Sequence, residues 1–235
     1  MKITQLAAAI MAIAFVSISA FGQSAVVINM PNEAPVKVTL SAAEQQIMDK
    51  NILPKVRKKL VVEGCEESIE VAGIIHGAFS RTGANQTVIF YQFCQTGNGL
   101  GSTGLALIEN GKAVGSWVSA ESGWTMDAKA LPDINQNGLN EIELFYSGGM
   151  HQGEGGTGVD IMEFSGGSLK GVGRFQAEGF TEKTANAYKV TVRPGRTPAF
   201  FREKWTANSA GTYRKVGNAL PLKLKPVFGS FEAIK

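Results

Sequence analysis

The sequence predicts a mainly β protein: about three propeller-blade-like repeats behind a short α/β N-terminal segment. Three observations carry that prediction. Short apolar or alternating runs at Thr87–Phe93, Gly104–Glu109, Glu141–Tyr146, Val159–Phe164, Tyr188–Val192 and Ala199–Phe201 are separated by glycine-rich turns. The 28 glycines among 235 residues have no every-third-residue period, which excludes collagen. Finally, Gly83–Tyr91 lines up with Gly138–Tyr146 at an offset of 55, and Gly104–Glu109 with Gly158–Glu163 at 54.

The chain opens on Lys2, an apolar run from Leu6 to Ile18 and the small-x-small site Ala20-Phe21-Gly22. That order reads as a signal peptide over residues 1–22, too short in its apolar part to span a bilayer. Its removal leaves 22 basic against 20 acidic residues, a net charge of +2, and no second long apolar segment. An exported protein is expected, periplasmic or extracellular, with no membrane span after processing. No basic cluster is long enough to track a phosphate backbone, so nucleic acid is not an expected partner. Export gives Cys65 and Cys94, the only two cysteines, an oxidising compartment in which to form a disulfide.

Residues 23–68 form the N-terminal segment. Val36–Leu40 alternates like a short strand, and Ser41-Ala42-Ala43-Glu44 is a capping box that starts a helix running to about Lys50. Pro54 opens a second helical turn carrying Lys55, Arg57, Lys58 and Lys59, a solvated basic face. Residues 69–235 are the β-repeat domain, with approximate repeats 77–127, 128–182 and 183–235. Asn110-Gly111 is its strongest hairpin signal.

Chemistry concentrates in Asp133-Ile134-Asn135-Gln136-Asn137-Gly138-Leu139-Asn140-Glu141. Oxygen side chains at alternate positions can converge on one hard cation when the backbone curls around it, and the glycine permits the turn. Asp133, Asn135 and Asn137 are the candidate side-chain ligands, Leu139 the backbone ligand, and Glu141 a direct or water-mediated one. Leu144 stands where an EF-hand has its bidentate glutamate, so the loop is not an EF-hand.

The motif resembles the calcium loop of FG-GAP/VCBS-type repeats, the blades of integrin-α-like β-propellers, over roughly residues 77–178. The resemblance implies bound Ca2+ and a binding or structural role toward an extracellular protein or glycan. Two asparagines replace the commoner aspartates, and the first and third repeats lack the acidic loop. Three repeats are fewer than closed propellers use, which leaves closure open. Either the N-terminal segment covers an unpaired strand edge, or chains associate, or the repeats settle into a two-sheet β fold.

The remaining polar candidates are few. His151 and Glu154 lie in the glycine-rich stretch 148–158, a candidate ligand loop between two strands; His76 ends an apolar run. Glu141 and Glu143 share one strand face by period two. Trp117, Trp124 and Trp205 offer either packing or a sugar-stacking surface. No nucleophile elbow and no metalloprotease motif is present, so no catalytic residue is assigned. The expected function is a non-enzymatic, calcium-stabilised binding module. A secreted hydrolase using His151, Glu154 and Glu143 is the alternative, and it requires those groups to converge in one pocket.

Overall fold

The computed structural model describes residues 23–33, 36–60, 69–97, 100–181, 183–227 and 229–234. Residues 1–22, the expected signal peptide, and Cys65 therefore lie outside the described residues.

The capping box forms as its sequence dictates. The Glu44 amide donates to Ser41 Oγ at 3.3 Å and the Ser41 amide donates to Glu44 Oε2 at 2.8 Å. Helix α1 (Ala42–Ile47) passes through one π-helical turn, Met48–Ile52, into α2 (Leu53–Lys59). The two expected helices are thus joined, with Pro54 in the first turn of α2, where its missing N–H costs nothing. Met48, Ile52, Leu53 and Val56 are buried along one face. Residues Val36–Leu40 form no strand. Five alternating residues do not hold a strand without a ladder partner, and Val36 is 61% exposed.

Strands β1 (Ala25–Asn29) to β13 (Glu232–Ala233) make two antiparallel sheets. β2 (Glu70–Gly77), β3 (Gln86–Gly97), β4 (Leu100–Glu109) and β5 (Lys112–Ser122) follow one another as a first meander. β6 (Trp124–Ala130), β7 (Ile142–His151), β8 (Glu154–Ser165) and β9 (Ser168–Thr181) repeat it. β10 (Ala185–Arg193), β11 (Ala199–Ala207) and β12 (Tyr213–Leu222) form a third, three-stranded group. That group joins β9 through residues 185–187 only, where β10 pairs with 178–180. Farther along, β1 pairs with β10, while β13 pairs with β5. Asn110 (φ 51°) and Gly111 (φ 70°) make the hairpin turn that their sequence predicts.

The layers stack in chain order, and the apolar pattern of each strand sets which neighbour it faces. Ile89, Tyr91, Ala106 and Ile108 pack on the helices, whereas Val88, Phe90, Leu105 and Leu107 face the second meander. Leu144, Tyr146 and Met162 stand 54 or 55 positions after members of the first set and face backward, onto the first meander. Phe145, Val159 and Ile161, the counterparts of the second set, face forward onto β1, β10 and β11. Each unit therefore presents equivalent faces to its neighbours on either side, and the helices take the place of a preceding unit. At the crossing of β2 and β6 only small side chains fit: a Cβ on Gly73 would stand 2.7 Å from that of Ala128.

Candidate functional site

The 55-residue offset can be tested in two loops that precede equivalent strands. Gln86, at the start of β3, is buried, and its Oε1 accepts the amides of Phe79 and Ser80, each at 2.9 Å. Glu141, immediately before β7, is fully buried, and its Oε2 accepts the amide of Ile134 at 2.9 Å. Residues 86 and 79 correspond to 141 and 134, so both units pin the loop with the same side-chain clamp. Gly83 (φ 70°) and Gly138 (φ 87°) occupy the same left-handed position in the two loops.

The electrostatics of the loops differ. In the first, Gln86 donates from Nε2 to Glu109 Oε2 at 3.1 Å, and the Arg81 guanidinium pairs with the other Glu109 oxygen. The Gln86 hydrogen bond and then Arg81 hold the Glu109 carboxyl below its ordinary range. In the second loop the place of Glu109 is taken by Glu163, and no arginine or lysine is ion-paired with Asp133, Glu141 or Glu163 among the described residues. Lys170, opposite Glu163 in the ladder, reaches Ser165 Oγ at 3.2 Å instead. Burial pushes the Glu141 carboxyl up to about 7, and the charges of Asp133 and Glu163 add to it. Its Oε1 is buried without a hydrogen-bond partner.

Asp133, Asn135 and Asn137 turn their oxygens onto amides of their own loop, as an Asx-rich turn does. Asp133 Oδ1 accepts the Asn137 amide at 2.9 Å and Oδ2 accepts the Gly138 amide at 2.8 Å. Asn135 Oδ1 accepts from Asn137 N at 3.1 Å and Asn137 Oδ1 from Leu139 N at 2.8 Å. Asn135 Nδ2 donates to Glu163 Oε2 at 2.7 Å, which brings in an acid not assigned to the loop from sequence. No three His, Cys, Asp or Glu side chains gather closely enough to hold an ion by themselves among the described residues. A cation here would need the Asn135 and Asn137 oxygens and the Leu139 carbonyl as well, donors suited to calcium. What the loop offers such an ion is hard oxygens, among them one buried carboxylate oxygen of Glu141 without a hydrogen-bond partner.

Asn140, the eighth residue, points away from its loop and ties the two units together. Its Oδ1 accepts the Ala78 amide at 2.9 Å, its Nδ2 donates to the Leu131 carbonyl at 2.8 Å, and its own amide donates to the Ala78 carbonyl at 2.9 Å.

The glycine-rich stretch 148–158 is not the long loop expected. β7 and β8 continue through it as a ladder, Met150 opposite Gly155 and His151 opposite Glu154, closed by Gln152 (φ 51°) and Gly153. The tight turn takes two left-handed residues, and pairing then satisfies backbone groups that a loop would leave to water. The His151 side chain lies outside the described ones; Glu154 is exposed at the tip. Glu143 is buried mid-strand opposite Ile161, so seven residues of β8 separate its level from Glu154, roughly 20 Å. Both Glu143 oxygens lack hydrogen-bond partners, and burial raises that carboxyl to about 8, against the lowering pull of Lys129. The two glutamates share no pocket.

His76 is exposed and its Nδ1 lies 3.1 Å from Thr87 Oγ1. Trp117 packs in the core with its ring 4.7 Å from that of Phe164, while Trp124 and Trp205 are half-buried on separate strands. Cys94 is buried beneath the helices and is disulfide-bonded; its expected partner Cys65 lies outside the described residues. No family model, curated protein or solved structure matches the chain.

Proposed function

We propose that this protein is an exported, non-enzymatic binding module of the FG-GAP/VCBS type, whose blade-like β repeats are stiffened by calcium and whose partner is an extracellular protein or glycan. The observation that carries the calcium half is the contrast between equivalent loops. The first loop balances Glu109 with Arg81; in the second, Asp133, Glu141 and Glu163 have no paired cationic side chain among the described residues, and the charges of the other two raise the Glu141 carboxyl further. Asp133, Asn135, Asn137, the Leu139 carbonyl and Glu141 would hold the ion, which supplies the missing positive charge.

The test is a melting curve of the mature chain with calcium and with a chelator. A site with few charged ligands, open to extracellular solvent, has a Kd of roughly 0.1–1 mM. At about ten times Kd, calcium adds RT ln(11), about 1.4 kcal/mol, or a few degrees of Tm. Asp133→Ala removes the shift. An unchanged melting curve refutes calcium binding. The binding half is tested by a glycan and protein-partner screen run with and without the ion, and it fails if nothing is retained in either condition.

A further inference from the structure

The glycines of the β7–β8 hairpin do not stand alone. Gly155, Gly156 and Gly158 pave one wall of an open groove of about 810 Å³. Arg174 of β9, Arg202 of β11, and Lys223 and Lys225 of the segment after β12 line the rest, and no acidic residue does. In a chain with almost balanced charge, four cations from three parts of the fold meet around one cavity.

Arg202, Lys223 and Lys225 leave positive charge available, while Arg174 is partnered. Arg174 shares its charge with Asp160, Nε to Oδ1 at 3.4 Å. The Arg202 guanidinium lies over the Tyr188 ring at 4.5 Å, which orients it without neutralising it. Lys223 and Lys225 are exposed and have no acidic partner among the described residues. A Cβ at Gly156 would lie 2.4 Å from the Glu178 carbonyl oxygen, and one at Gly158 3.2 Å from the Arg174 guanidinium. Side chains on this wall would crowd the strand beside it and push into the arginine, so the wall stays bare.

We infer that this groove binds a carboxylated oligosaccharide, its acid groups held by Arg174, Arg202, Lys223 and Lys225. The inference rests on the binding-module reading above and names its ligand class. Guanidinium forks match carboxylates bidentately, and lysines add less directional charge. The volume suits a ligand of several rings rather than one small anion. The same cations attract phosphate, but one compact phosphate fills little of this volume, and the hairpin amides that would cradle it lie in ladders with β7 and β9. An acidic peptide meets the same cations but gains no strand pairing at Arg174, whose backbone is already paired with Lys225 at 2.7 and 2.9 Å. Pro221 and Pro226 on the rim provide apolar surface for the C–H faces of sugar rings.

The experiment titrates the full mature chain, in calcium-free buffer, with tetragalacturonate, its neutral methyl ester and an oligoglutamate peptide. Saturable binding of tetragalacturonate that weakens with salt is expected, with at least tenfold weaker binding of the ester and the peptide. The double variant Lys223→Ala/Lys225→Ala loses at least tenfold in affinity at an unchanged melting temperature, since both side chains are exposed. Arg202→Ala does the same through loss of the guanidinium. No saturable binding, equal binding of the ester, tighter binding of the peptide, or an unaffected lysine double variant each overturns the groove assignment. Failure here with a neutral glycan or protein still captured in the wider screen leaves the binding module standing; failure of both removes it as well.

Discussion

The loops 79–86 and 134–141 do one mechanical job with opposite electrostatics. Each pins its own backbone with a buried side-chain carbonyl or carboxylate oxygen, Gln86 in the first and Glu141 in the second. The first is complete as it stands, because a neutral amide occupies the buried site and Arg81 answers Glu109. The second buries a carboxylate between two other acids and leaves one oxygen without a partner. Equivalent backbone geometry therefore does not imply equivalent chemistry. A repeat can hold its shape while one copy exchanges a neutral amide for a buried acid.

The largest expected effect breaks the shared clamp. Gln86→Ala strands the buried amide of Phe79, frees the part-buried one of Ser80 to water, and costs about 2–3 kcal/mol, read from the urea midpoint. Glu141→Ala strands one amide and costs less. Next comes the junction between the units: Asn140→Ala removes the side-chain hydrogen bond from Ala78 that links loop to loop and the one to Leu131 within its own unit, about 1–2 kcal/mol. The calcium shift survives in that variant, because Asn140 faces away from the ion. If Asn140→Ala abolishes the shift, the loop is assigned wrongly.

Asp160 sharpens the comparison with a buried acid that does have a cationic neighbour. Burial raises its carboxyl to about 6 even against Arg174. A raised folded value means the favourable contribution is complete below about pH 4 and is lost as pH rises through about 6. Asp160→Asn should thus gain about 1–2 kcal/mol over wild type at pH 7.5 and nothing at pH 3.5 in paired denaturation curves. A gain that is flat with pH would refute ionisation as its cause. The smallest effect concerns the loops' charges directly: Glu141→Gln gives the second loop the amide of the first. It raises calcium-free stability by up to about 1 kcal/mol and removes most of the calcium-induced shift in Tm.

Local signals were legible where one short segment decides the outcome. Ser41 and Glu44 announce their helix start, Asn110-Gly111 its turn, and the copied Gly83 and Gly138 the repeat. β5 and β12 were not legible, for opposite reasons. β5 buries Ser116, Ser119 and Ser122, so its inward side does not read as apolar. β12 is exposed over most of its length and needs no apolar alternation at all. The acid Glu163, and the pairing of Arg81 with Glu109, come from neighbouring strands some 26–28 residues away. Sequence spacing inside a nine-residue motif contains no trace of them.

The two terminal strands carry a kinetic consequence. Every meander pairs strands adjacent in the chain, so each can zip up soon after its hairpin turns form. β1 instead pairs with β10, with Ala25 opposite Val192, and β13 pairs with β5, with Ala233 opposite Trp117. Both pairings close loops of more than a hundred residues, which costs the most chain entropy and comes after local structure has shortened the path. The molecule is thus laced shut at its two ends last. In pulsed hydrogen exchange the β1 amides that pair with β10, and the amide of Ile234, which donates to the Ser116 carbonyl at 2.8 Å, should gain protection after those of β3, β4, β7 and β8. Until they do, the β5 and β10 edges stand open to any strand that reaches them, a second copy of this chain included.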